Sequence, residues 1–226
     1  MIILALDTAT EACSASVLTP DQHLIERFEL APRRHADLIL PMIDAVLAEA
    51  GLTLTDVDAL AFGRGPGAFT GLRIAVSTVQ GIGFATGLPV VPVSTLAALA
   101  RQAMRRSQNT DIAVAIDARM NEVYWGCFRA DGPDDLSALT AEQVAAPGDV
   151  NVPDGGPWTA IGSGWDAYNE QLHSRLTIAA QLDSGYPRAA DIAMLAAAGY
   201  RRGEAVSAEQ ALPVYLRDRV THRAGT

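Results

Sequence analysis

The sequence predicts an α/β protein built from two similar lobes. Short apolar runs of strand length alternate with longer runs of helical period. Val114-Ala115-Ile116-Asp117 repeats the pattern of Leu4-Ala5-Leu6-Asp7 110 residues on, and each copy then turns into an alternating strand. At 226 residues, 49% hydrophobic and 19% charged, the chain is long and apolar enough for one large or two small domains with no disulfide or metal staple.

Taken in order, Ile2 to Leu6, Ala12 to Leu18 and Leu24 to Leu30 read as three strands. Thr19-Pro20-Asp21-Gln22-His23 supplies turn chemistry between the second and third, which makes the opening a meander. From Arg33 to Ala50 the apolar period becomes helical, and Gly51 suits a C-terminal cap. Pro41 lies inside this pattern and removes a donor, so a kink or two abutting segments is expected there. Ala59 to Phe62 reads as a strand leading into the glycine-rich stretch Gly63 to Gly71. A second helix is expected from about Leu72 to Ala85 with Thr70 near its cap. Val90 to Val93 is a fifth strand, and Ser94 caps a third helix reaching about Arg106. In the second half, Val114 to Asp117 and Glu122 to Phe128 are strands. Asp131 to Pro157 reads as loops with one short strand, Ala190 to Tyr200 as a helix and Pro213 to Arg217 as an extended tail.

Charge and composition remove several function classes. The net charge is −9, a poor basis for autonomous nucleic-acid binding, which needs a positive field. All 17 basic residues are arginine, so no lysine exists for a phosphate loop, a Schiff base or a kinase-type site. Cys13 and Cys127 lie in separate strand-like runs. A disulfide and two reduced thiols are both open, the thiols being favoured without a secretory context. Met1 to Asp7 lacks a charged leader region, and no run reaches 18 apolar residues, so a cytoplasmic protein is expected.

Gly63 to Gly71 carries the strongest local signal. Glycines allow close backbone approach, and a loop feeding a helix N-terminus can cradle an anion. The loop is neither a lysine-bearing phosphate loop nor a dinucleotide fingerprint, since Ala68 stands at the third glycine position. Asp7, Gly65 and Gly67 are the candidate nucleotide contacts, although Asp7 and Asp117 taken alone better suit strand-ending Asx turns, with Arg119 placed to pair with Asp117. His23, His35, His173 and His222 stand apart and read as solvated, so no helical histidine pair offers a metal site. Ser163 reads as a turn residue. Arg33–Arg34, Arg101/Arg105/Arg106 and Arg201–Arg202 read as solvated clusters or auxiliary RNA contacts. The first two helices carry more apolar and small residues than one buried stripe requires, which points to a partner or a second copy.

Asp7 to Ser14, Gly63 to Arg73, Val93-Ser94-Thr95-Leu96, Ile116 to Arg119 with Glu122-Val123-Tyr124, and Pro213 to Arg217 occur in this order. Together they resemble the TsaB (YeaZ) family of tRNA threonylcarbamoyladenosine biosynthesis proteins, over nearly the whole chain. The resemblance implies an actin/hexokinase/Hsp70-like (ASKHA) fold of two duplicated lobes, residues 1–106 and 107–226, with the C-terminal segment free to pack back on the first lobe. It implies a non-catalytic scaffold that binds the transferase TsaD as a heterodimer, works with the ATPase TsaE, pairs with itself when alone and meets tRNA only within the complex. No membrane is involved, and no cofactor of its own is implied, any nucleotide lying near the junction with TsaD. The interface is expected at Leu38, Ile39, Met42, Val46, Leu72, Ala75 and Val79. TsaD-like proteins carry a His-x-x-x-His metal pair where Thr95 and Leu99 align here, and these two side chains cannot hold a metal. Two enzymatic alternatives are a sugar-kinase-like phosphotransferase, opposed by Ala9 in the first loop, and a metallopeptidase, opposed by the missing histidines.

Overall fold

The computed structural model describes residues 1–132, 136–183 and 185–217. The first sheet contains β1 (Ile3–Asp7), β2 (Ala12–Leu18), β3 (Leu24–Leu30), β4 (Ala59–Gly65) and β5 (Val90–Ser94), in the order β3-β2-β1-β4-β5. β1, β2 and β3 form an antiparallel meander, whereas β1, β4 and β5 run parallel. The parallel connections need crossovers. These are α1 (His35–Ala50) and α2 (Phe69–Thr86).

The second sheet contains β6 (Asp111–Arg119), β7 (Glu122–Ala130), β8 (Leu136–Ala138), β10 (Trp158–Ile161) and β11 (Ile178–Gln181), with β9 (Gln143–Ala145) paired to β7 off the main path. Read from β8, its order is β8-β7-β6-β10-β11, with β6 antiparallel to β7 and parallel to β10. The two sheets therefore share one topology. The repeated Asp-ended strand of the sequence is the central strand of each, and the whole is an α/β fold of two mixed sheets flanked by helices.

The helices that follow the last strand of each sheet change sides. α3 (Thr95–Arg106) buries Leu96, Leu99, Ala100 and Ala103 against Ile112, Val114 and Phe128 of the second sheet. α6 (Ala189–Arg201) buries Ile192, Ala193 and Ala196 against Ile3, Ala5 and Val91 of the first. Division of the chain at 106/107 thus separates the strands of the two sheets but not their helices. Between these two helices Asp191, fully buried, accepts from Arg101 at 2.9 Å and from Arg105 at 2.9 Å. On the outer faces, α1 and α2 cover the first sheet. α4 (Ser163–Ala167) and α5 (Asn169–His173) lie by the second, over Trp125 and Trp158.

Several local expectations are corrected. α1 runs unbroken through Pro41, because that residue is exposed and water can satisfy the carbonyl it leaves free. α2 starts at Phe69 with Ala68, not Thr70, as its cap residue. The cap is set by packing, since Ala68 N–H donates to the Ala9 carbonyl at 2.7 Å while its own carbonyl accepts from Leu72 at 2.9 Å. The stretch from Asp131 to Pro157 contains two short strands rather than one. Ser94 caps α3 as expected, its Oγ accepting from Ala97 N–H at 3.2 Å, and both cysteines are free and buried. No helix among the described residues is long and apolar enough to cross a membrane.

Candidate functional site

The sequence-predicted residues fall in two regions: the junction of the lobes and the helix pair α1 and α2.

At the junction, β1 delivers Asp7 to its C-terminal end. Its Oδ1 accepts from Ala9 N–H at 3.0 Å, the Asx turn that a strand-ending Asp makes. Its Oδ2 is buried without a partner and packs against Gly63, where any side chain would collide with it. Burial pushes the carboxyl up from 3.8 to about 7, the Ala9 bond opposing only in part. The whole residue is buried in this structure.

The glycine loop is closed by the protein's own backbone. Gly65 adopts φ +110°, and a Cβ there would lie 2.6 Å from the Val214 carbonyl oxygen. A Cβ on Gly67 would collide with the Ala9 carbonyl. An anion cradle needs convergent N–H donors. Here carbonyl oxygens, the negative ends of peptide dipoles, fill the hollows at both candidate contacts. At Gly65 and Gly67 the missing side chains thus allow close backbone packing.

Asp117, the second copy, has a different environment. Arg119 donates to it through its backbone N–H at 2.8 Å and Nη1 at 2.9 Å, as the sequence suggested, and the Tyr168 hydroxyl at 3.3 Å. Ser163 opens α4, and its Oγ accepts from Asp117 N–H at 3.1 Å. Burial, then the Asp117 charge, raises the Tyr168 phenol. Arg119 also reaches Glu11 of the first lobe at 3.2 Å.

Thr95 and Leu99 are fully buried at the start of α3. Among the described residues no group of three or more His, Cys, Asp or Glu is placed to hold a metal ion. The histidine expectation is corrected at His35, which is buried. Its Nε2 lies 2.9 Å from the Thr10 carbonyl and ties α1 to the turn after β1. His222 lies outside the described residues.

The expected interface positions are also corrected. Ile39, Met42, Val46, Leu72, Ala75 and Val79 are 0 to 8% exposed and face the protein's own core, with Leu38 half-buried beside them. Apolar residues at helical spacing mark a face that seeks burial, and a lobe with one sheet to cover draws them inward. The outer face is carried by other residues. On α2 the exposed row is Phe69, Arg73, Ser77, Gly81 and Ala85, at i, i+4 spacing, with Phe84 beside it. Leu40 of α1 stands across from this row, and the two helices bound a groove of about 450 Å³. Leu40, Phe69 and Phe84 are each more than half exposed. The Arg73 guanidinium lies 3.6 Å above the Phe69 ring, and Tyr215 packs 5.5 Å from it. The sequence offered one signal for this face, the small residues of α2 at four-residue spacing.

With this geometry in place, comparison with known proteins defines first a class. Residues 27–225 match the family model of TsaD, tRNA N6-adenosine threonylcarbamoyltransferase, so this two-lobed α/β chain is TsaD-like. Among its relatives are proteins named tRNA threonylcarbamoyladenosine biosynthesis protein TsaB. That of Escherichia coli is 40% identical, covering 97% of this chain and 96% of its own length. That of Haemophilus influenzae is 41% identical over 98% and 95%. The structure of YeaZ from Pseudomonas aeruginosa superposes with a TM-score of 0.89 at 47% identity, over 95% of this chain and 99% of that one. A further Pseudomonas aeruginosa structure, described as similar to peptidase YeaZ, gives 0.90 at 46% identity, over 96% and 99%. The chain belongs to the TsaB family.

Proposed function

We propose that this protein is a non-catalytic subunit of the machinery that forms threonylcarbamoyladenosine in tRNA, and that it binds and activates a TsaD transferase through the outer face of α1 and α2. Membership of the TsaB family supports the part in tRNA modification. The observation that carries the scaffold reading is the exposed apolar face of Leu40, Phe69 and Phe84 beside small residues on α2. Such a face lets a partner helix approach closely, and its burial at about 25 cal/mol per Å² favours association. The junction between lobes points the same way. Its first carboxyl is inaccessible, its glycine hollows are filled with carbonyls, and Thr95 and Leu99 stand at the positions aligned with the histidine pair.

Within this reading any nucleotide binds at the junction with TsaD and not in this chain's own loop. TsaE joins the heterodimer, the free chain pairs with itself through the same face, and tRNA is met inside the assembly. The cytoplasm follows as its place of work. The test is co-purification with TsaD of the same organism, followed by tRNA modification with and without this chain. Phe84→Asp is expected to abolish co-purification and modification while leaving the fold intact, because Phe84 is 63% exposed. Full modification by TsaD alone, or by TsaD with the Phe84→Asp chain, would overturn the proposal.

A further inference from the structure

After α6 the chain returns along the first lobe. Val206 and Val90 exchange backbone hydrogen bonds of 2.8 and 2.9 Å at the start of β5. Ala211 is fully buried, and its carbonyl accepts from Gln80 of α2 at 3.1 Å. Val214 then donates to the Arg64 carbonyl at 2.8 Å while its own oxygen fills the hollow at Gly65. Tyr215 packs on Phe69. Arg217 crosses to the second lobe, where Nη1 donates to the Ala118 carbonyl at 3.0 Å and the guanidinium pairs with Glu122.

The target of Arg217 is itself unusual. Between Ala118 and Glu122 the hairpin of β6 and β7 turns through Arg119, Met120 and Asn121, at φ 61, 59 and 60°. Non-glycine residues are disfavoured in this left-handed region, so three in succession persist only where surrounding contacts hold them. Arg217 bonds to the residues on both flanks of this turn, and Arg119 within it bonds to Glu11 of the first lobe.

We infer that residues 211–217 form a latch between the lobes, with Arg217 as the positioning residue that couples the β6–β7 hairpin to the glycine loop and to the Phe69 end of the docking face. The inference does not depend on the identity of the partner, and its test uses the isolated chain. Backbone amide exchange is measured residue by residue on wild type, Arg217→Ala and Glu122→Gln. Both substitutions are expected to speed exchange at least tenfold at the Arg119 amide and also at the Val214 amide, which reports the bond to Arg64. Sheet amides such as Leu60 and Ala61 keep their wild-type rates. Faster exchange at the hairpin alone would overturn the latch, because Arg217 would then be a local anchor. Unchanged exchange in either variant would overturn it too. So would equal acceleration through the first sheet, which would make the contact part of the global fold rather than of a joint.

Discussion

The buried carboxyl of Asp7 makes stability depend on pH in a defined direction. In the folded protein it titrates near 7 because burial disfavours its charge, whereas in the unfolded chain it titrates near 3.8. Between these values the folded state holds a proton that the unfolded state has lost, so stability falls as pH rises. The full contribution is present below about pH 3.8 and is gone once pH passes through about 7. The separation corresponds to about 4 kcal/mol, a large fraction of the roughly 5–15 kcal/mol that holds a typical domain folded. Asp7→Asn removes the titration and keeps an oxygen to accept from Ala9. Its amide nitrogen has no partner beside Gly63, which costs roughly 1–3 kcal/mol at every pH. The informative quantity is therefore the slope and not the absolute stability. Urea unfolding of both proteins from pH 4 to 8 should show wild type losing several kcal/mol relative to Asp7→Asn, with the difference levelling above about pH 7.5. A difference that stays flat from pH 4 to 8 would refute the reasoning.

Gly81 sits exposed on α2 with open space where a side chain would go. Gly81→Leu should stabilise the isolated chain by about 0.8 kcal/mol through helix propensity, yet weaken the proposed binding to TsaD at least tenfold by preventing close helix approach. Thermal melting and titration calorimetry read the two effects separately. Asp191→Ala removes the buried carboxylate that Arg101 and Arg105 share and should cost about 3–5 kcal/mol, visible as a lowered urea midpoint. Both thiols are pushed up to about 12, chiefly by burial, so native protein should not react with a thiol reagent at pH 8 until denaturant is added.

Much of the fold was legible because its signals are local. Strand-length apolar runs, the turn at Thr19 to His23, the helical period of Arg33 to Ala50 and the Ser94 cap each act within a few residues and appear where expected. The repeated Asp-ended strand disclosed the duplication, since a central strand must be apolar and must end where its loop begins. The site was less legible. Apolar residues at helical spacing identify a helix face that wants burial without stating what buries it. Met42 and Val46 thus looked available to a partner while the protein's own sheet took them. The glycine loop posed the same ambiguity, because close approach to a phosphate and close approach to a carbonyl call for the same residue.

From its sequence alone this protein is an α/β chain of two similar lobes with the ordered motifs of its family, no lysine chemistry and no histidine pair on a helix. Those are properties of residue type, period and spacing. Tertiary structure alone decided that α3 and α6 cross to opposite sheets, that Val214 and Ala9 fill the glycine hollows, and that Leu40, Phe69 and Phe84 form the outer face. Each of these depends on which other segment packs against a shared surface, and no local pattern encodes that choice.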